Sequence, residues 1–185
     1  KNKGEDIMLI RALYSACITL TIILFTTTLA HAQCKDAVVL VHGNGDNSSA
    51  WTNTVNRLVS QGWSSSDIYK PNWGGSNPAY NNHAGSEEVP VANALSSALA
   101  NSCTGKIDVI GHSMGVTLAA KEILKLDIED SVDTFVGIAA GYRGLWSCGY
   151  FPWNVWVPTC GSQGLSVSSP LLDSLENKRV ATKIY

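Results

Sequence analysis

The chain has 185 residues, 45% of them apolar, with 13 Lys and Arg against 15 Asp and Glu. That length suits one domain able to bury a real core, and a charged share of 15% is too sparse for a long disordered or coiled-coil chain. A net charge of −2 offers no basic field to a phosphate backbone, so nucleic-acid binding is set aside.

Residues 1–7 precede Met8 and read as upstream sequence carried along in translation. Residues 8–32 read as a secretory signal: Arg11, a charge-free run from Ala12 to Leu29, then Ala30-His31-Ala32, an A-x-A site cut after Ala32. The run is near the minimum for a membrane span, but its threonines and small-residue exit favour cleavage over an anchor. Gln33, where lipoprotein processing needs a small residue, argues against lipidation at Cys34. The expected product is an extracellular or periplasmic domain over 33–185. Cys17 leaves with the signal; Cys34, Cys103, Cys148 and Cys160 remain. An even number in an exported chain suggests two disulfides, with three pairings open. Without a C-x-x-C pair or Cys/His cluster, no metal site is expected.

The remaining segments alternate between strand-like and helix-like, which predicts a parallel sheet covered by helices. Ala37–Val41 is a short apolar run rich in valine, hence a buried strand. Trp51, Val55, Leu58 and Val59 have helical spacing, with Gly62 as a stop. Asp67–Lys70 is a weak strand, followed by a Gly-, Asn- and Pro-rich loop over 72–85. Ser86 reads as the N-cap of a helix whose first turn carries Glu87 and Glu88 and whose buried face carries Val91, Leu95, Ala98 and Leu99. Lys106–Ile110 is a strand, Met114–Leu126 a helix and Thr134–Ile138 a strand. Ser169 caps a short helix bearing Asp173 and Glu176 as surface residues, and Arg179–Tyr185 reads as a last strand.

Two loops carry chemistry. Gly111-His112-Ser113-Met114-Gly115 is a G-x-S-x-G match that directly follows an apolar strand and opens a helix, the setting of a nucleophile elbow. Glycines flank the serine because side chains there would collide with the adjoining strand and helix. His42-Gly43-Asn44-Gly45-Asp46 follows the first strand, where a Gly-rich loop can bring a backbone N–H beside the nucleophile. With the N–H of Met114 it would form an oxyanion hole, each donor contributing roughly 3 kcal/mol to the transition state. A phosphate-binding loop is the rival reading, but the third Gly of G-x-G-x-x-G and the Lys of a P-loop are missing.

Val39-Leu-Val-His-Gly43, Leu58-Val-Ser-Gln-Gly-Trp63 and Gly-His-Ser-Met-Gly together resemble the small secreted class 2 bacterial lipases, over about Ala37 to Tyr185. A narrower likeness, to extracellular polyhydroxybutyrate depolymerases, lies in Gly43-Asn-Gly-Asp-Asn47, Arg143-Gly-Leu-Trp-Ser-Cys148 and Pro158-Thr-Cys-Gly-Ser-Gln163. The resemblance implies an α/β-hydrolase fold, a mostly parallel sheet with helices on both faces. It makes Ser113 the nucleophile and Asn44 and Met114 the backbone oxyanion donors, with no cofactor, and leaves His42 to shape its loop. That fold sets the strands 37–41 and 106–110 side by side. Cys34 and Cys103 then share one edge, which favours a Cys34–Cys103 bridge and leaves Cys148–Cys160 to close a surface loop.

The departure from the family is the triad. Its order is Ser, then Asp or Glu, then His, yet no histidine follows Ser113; the four are His31, His42, His83 and His112. His112 neighbours the nucleophile and is expected to point elsewhere, and His83 to pack its loop or touch substrate. The expectation is therefore a C-terminally truncated frame, inactive as it stands, whose acid and base lie beyond residue 185. A catalytically silent homologue that binds lipid or polymer is the alternative. The 145–157 loop holds Trp146, Tyr150, Phe151, Trp153 and Trp156. Either it contacts a lipid aggregate or polymer, or it buries its own aromatics. The partner expected is a lipid or polyester substrate, and the protein a monomer.

Overall fold

The computed structural model describes Cys34–Tyr185; the stretch 1–7 expected to be upstream sequence and the expected signal 8–32 lie outside the described residues. Five strands, β1 (Ala37–Val41), β2 (Ile68–Tyr69), β3 (Ile107–His112), β4 (Val132–Ile138) and β5 (Lys183–Ile184), form one sheet in the order β2-β1-β3-β4-β5. Every pairing is parallel, with Val39 opposite Val109 and Val41 opposite Gly111, then Gly111 opposite Gly137. Four α-helices connect or follow the strands: α1 (Thr52–Ser60), α2 (Glu88–Asn101), α3 (Met114–Leu126) and α4 (Pro170–Leu175).

Crossover handedness decides which face each helix covers. The chain steps outward from β1 to β2, then reverses and runs β3, β4, β5 the other way. Right-handed crossovers therefore put α1 on one face and α2, α3 and α4 on the other. The core divides accordingly. Val38 and Leu40 of β1 meet Trp51, Ile68 and the Val55–Leu58 stripe of α1. Val39 and Val41, pointing the opposite way, join Val91, Leu95, Val116, Leu118, Ile123 and Phe135 in the larger cluster. Leu95 and Phe135 are among its fully buried side chains, so truncating either to Ala would cost roughly 2–5 kcal/mol. Both clusters and both disulfides, Cys34–Cys103 and Cys148–Cys160, lie within the described unit.

Several boundaries differ from expectation. The first helix is preceded by a 3-10 turn, Ser48–Trp51, capped by the Asn47 side chain, and Val59 faces solvent at 44% exposure rather than the core. Ser86 is not the N-cap of α2: it sits inside a 3-10 turn, Gly85–Glu87, whose own backbone bonding displaces the helix start to Glu88. The second strand contracts to Ile68–Tyr69, and the last to Lys183–Ile184 because Val180 and Ala181 turn into the core instead of extending the ladder. Ser169 caps α4 by accepting from the Leu172 N–H, and Asp173 and Glu176 are exposed.

Candidate active site

The strand order reverses between β1 and β3, and in open α/β sheets ligands bind beyond the carboxyl ends of the strands at that point. Ser113 sits there, one residue past β3 and one before α3. Its backbone is held at φ 52° and ψ −127°, a left-handed conformation that a side chain adopts at a cost of about 1–3 kcal/mol. The turn is pinned by the Ser113 N–H donating to the Ile138 carbonyl at 2.8 Å. Close packing explains the flanking glycines. A Cβ on Gly111 would lie 2.8 Å from the Val116 Cα, and one on Gly115 would overlap the His42 carbonyl oxygen and lie 2.7 Å from that of Val41.

Two backbone donors flank this turn without a backbone acceptor among the described residues. Met114 is the first residue of α3, where helix geometry leaves the N–H without an intrahelical acceptor. The Asn44 N–H has no backbone acceptor among the described residues. The loop carrying Asn44 is heavily braced. The Asn44 Nδ2 donates to the Pro78 carbonyl at 3.0 Å, and its Oδ1 accepts from Asn81 Nδ2 at 2.7 Å. His42 is 1% exposed and stacks on Trp73 with ring centroids 5.3 Å apart. Its Nδ1 faces the Gly43 carbonyl at 2.8 Å and its Nε2 accepts from the Trp73 N–H at 3.2 Å, a neutral tautomer. Burial lowers its pKa, against the Gly43 bond and Asp46.

The other histidines are placed as follows. His83 is fully buried, with Nε2 2.7 Å from Thr117 Oγ1 and Nδ1 3.0 Å from the Gln163 carbonyl. Burial holds its pKa down to about 4, so it packs its loop as a neutral ring. His112 is exposed, its ring against Gly43, and with His42, Asp46, Ala50, Trp51 and Ile138 it lines a cleft of about 250 Å³. A roomier groove of about 560 Å³ runs along α4 and β5, past Tyr142, Leu172 and Ile184, and includes no elbow residue.

Both disulfides join the expected cysteines, Cys34–Cys103 and Cys148–Cys160. The loop closed by the second does not bury its tryptophans, Trp153 and Trp156, each 74% exposed, and Trp146 just before it is 86% exposed. Its backbone is nevertheless tied down, with Phe151 N–H to the Val167 carbonyl at 3.0 Å and Val167 N–H to that of Gly149 at 2.9 Å. Thr159 Oγ1 lies within hydrogen-bond reach of the Pro78 and Asn81 carbonyls, the latter at 2.6 Å, and its one proton serves the two. One hydrogen-bonded chain thus links the aromatic loop through Asn81 to Asn44.

Sequence reasoning passed over Asn81, Thr159 and Trp73, since a lone Asn or Thr in a polar loop carries no period. Glu122 was legible but unread: three and four residues from Ala119 and Leu118, it falls on the buried stripe of α3 and is 0% exposed. Neither of its carboxyl oxygens has a hydrogen-bond partner, and burial, then Glu88, raises its pKa to about 7. Burial also disfavours the Glu88 carboxylate, but Lys125 and Lys121 outweigh it and hold that pKa down to about 2. At the opposite end of the sheet from Ser113, carboxylate oxygens of Asp36, Asp108 and Asp133 lie within 4.8 Å of one another. Lys183 pairs with Asp133 at 2.9 Å, and Thr104 donates to Asp36 at 2.6 Å.

A parallel sheet with helices on both faces and a strained strand–Ser–helix turn at its switch point defines an α/β-hydrolase. The chain belongs to the Lipase (class 2) family, whose model matches residues 35–184. No curated protein sequence matches it. Solved structures similar to it include an extracellular α/β-hydrolase from a Paenibacillus species, at 18% identity, covering 56% of this chain and 40% of that one, TM-score 0.42. A monoacylglycerol lipase of Paleococcus ferrophilus is also 18% identical, with coverage of 58% and 39% and TM-score 0.43. A Bacillus licheniformis lipase in mature form is 16% identical, with coverage of 80% and 60% and TM-score 0.46. The matched part of this chain thus spans 40%, 39% and 60% of those proteins.

Proposed function

We propose that this chain is the nucleophile-bearing part of a secreted serine hydrolase of carboxylic esters, a lipase or esterase. The observation that carries the reading is Ser113 at φ 52° on the β3–α3 elbow, at the switch point, with the Asn44 and Met114 N–H groups unengaged. In the reaction, Ser113 Oγ attacks the ester carbonyl carbon and passes its proton to a histidine. The tetrahedral oxyanion accepts from the Asn44 and Met114 N–H groups, and the alcohol leaves with that proton. Water then enters by the same route in reverse and releases the acid. His42 and His83 are ill placed to act as the base, being buried in fixed contacts with Trp73 and Thr117. The acid and histidine are assigned to residues outside this chain, and the chain alone is expected to be inert. Export through cleavage after Ala32 accords with the two disulfides.

A polyhydroxyalkanoate is the second substrate reading, favoured by the uncharged, disulfide-closed segment 148–160. Assays of the complete reading frame on a soluble p-nitrophenyl ester, a triacylglycerol emulsion and amorphous polyester granules separate the two. Turnover abolished by Ser113→Ala is expected; cleavage of none of the three sinks the enzyme reading in favour of a silent binder. Turnover by the 185-residue chain alone would refute its assigned inertness.

A further inference from the structure

We propose that Glu122 and Glu88 share one proton across the α2–α3 interface, and that this proton latches the segment 81–88 onto the elbow helix. The latch stands independently of the ester-hydrolase reading, and only its consequence for Asn44 rests on that reading.

The sequence isolates the pair. Glu88 is the one charged residue of α2, and α3 carries only Lys121, Glu122 and Lys125. Glu122 is fully buried, and as a carboxylate neither of its oxygens finds a donor. The nearest ammonium, on Lys125, stops 3.9 Å from Oε2. As an acid, by contrast, Glu122 has an acceptor, because the Glu88 carboxyl lies within hydrogen-bond reach. Two buried carboxyl groups in contact attract only when one of them holds a proton. That proton belongs on Glu122, since Glu88 already accepts from Lys121 at 2.9 Å and from Lys125. Burial, then the Glu88 carboxylate, accordingly raises the Glu122 pKa to about 7.

No other described charge competes for the pair. Asp108 alternates with Val109 of the α3-side cluster and so points away. Asp173 of α4 is exposed, and Ser86 engages Glu87. His83 is the remaining titratable neighbour, and burial keeps it neutral.

What the proton holds in place follows from Lys121. Its Nζ donates to Glu88 Oε1, to the His83 carbonyl and to Gln163 Oε1, the last at 3.1 Å. A single ammonium thus fastens both ends of 83–88 to α3. Asn81, two residues upstream of His83, bonds Asn44 Oδ1. When Glu122 ionises, two buried anions face each other at the start of α2, and the segment opens more readily. The loop of the candidate oxyanion donor then loses a brace, so a buried acid ties its support to pH near neutrality.

Amide hydrogen exchange of the oxidised protein tests the latch. The reporters are the N–H groups of His83, bonded to the Gln163 carbonyl at 2.8 Å, and of Ala84, bonded to Asn82 Oδ1 at 2.7 Å. Opening constants, corrected for intrinsic exchange, are compared from pH 5 to pH 8 in wild type and Glu122→Gln. His83 titrates on opening in both proteins, so the ratio of the two isolates Glu122. That ratio is expected to rise by about tenfold or more and to level off above pH 7. On a Glu88→Gln background, with the acceptor removed and both lysines freed, the rise should shrink below about threefold. Should Glu122→Gln fail to fold, carbon-13 titration of wild type decides, with a Glu122 Cδ midpoint above about 6 expected and one below about 5 overturning the proposal. A flat ratio overturns it too, as does an undiminished rise without Glu88, which would make burial alone the cause. Reporters that exchange no faster than the β3 amides would show that the segment has no opening of its own, and would also overturn it. Ester turnover enters none of these readouts, so failure here leaves the hydrolase reading untouched, and failure of turnover leaves the latch.

Discussion

Asn81 donates from Nδ2 to Asn44 Oδ1 at 2.7 Å and to the Gly75 carbonyl at 2.8 Å, while its Oδ1 accepts from the Gly75 N–H. At 2% exposure it has no water to substitute for any of these partners. An aspartate there would turn a carboxylate oxygen on two acceptors. Asn81→Asp should therefore lose about 2–4 kcal/mol of stability at pH 7. Its carboxyl would have a raised folded pKa, so the loss should shrink as pH falls toward 4, where a protonated acid donates again. Urea denaturation of variant and wild type at both pH values checks this; a pH-independent difference would contradict it.

The elbow predicts a contrast between two substitutions that both remove the nucleophile. Ser113→Ala keeps the Cβ and hence the strain at φ 52°, and should leave thermal stability near that of wild type. Ser113→Gly relieves the strain and should raise unfolding free energy by about 1 kcal/mol after the entropy of glycine is subtracted. Equal melting temperatures for the two variants would show that the turn stores no strain.

Buried His83 and buried Glu122 oppose each other in the pH dependence of stability. With a folded pKa of about 4 against 6.5 unfolded, His83 makes stability fall as pH drops through that window, by roughly 3 kcal/mol in full. His42 acts in the same direction. Glu122, at about 7 folded against 4.5, contributes stability that is present below 4.5 and lost as pH rises through 7. Its charged neighbours Glu88, Lys121 and Lys125 remain in either variant. Glu122→Gln should thus gain on wild type between pH 5 and pH 8, and should show a steeper loss on acidification. Parallel stability profiles for the two proteins would disprove the opposition.

The two disulfides close loops of different length, with sequence separations of 69 and 12. By the chain-entropy relation, losing Cys34–Cys103 should cost about 1.5 kcal/mol more than losing Cys148–Cys160. Paired Cys→Ser variants compared by chemical denaturation measure the difference directly. A larger loss at 148–160 would mean that the bridge chiefly holds the aromatic loop in its native form.

The parts of the fold legible in sequence were those with a strong local period. The Met114–Leu126 helix, the valine strand at 37–41 and the glycines around Ser113 each follow from sterics acting within a few residues. The start of α2 and the ends of β2 and β5 were less legible, because 3-10 turns and core packing from distant segments set them. The same holds at the site. Ser113 and its flanking glycines announce themselves, whereas Asn81 and Thr159 act on positions 37 and 78 residues away. Their partners are specified by the folded chain, with no periodic trace. Whether the tryptophan loop faced inward or outward was equally beyond local pattern, since its backbone is anchored by bonds to the later residues Leu165 and Val167.

Cys34 is joined to Cys103, and Cys148 to Cys160, so each bridge links the next unpaired cysteine along the chain. For a polypeptide emerging N-terminus first into an oxidising compartment, the native partner of Cys34 arrives before either competitor. Cys148 then meets Cys160 with both earlier thiols already consumed. If Cys17 is removed by the proposed signal cleavage, the order of synthesis favours the native pairing among the three arrangements.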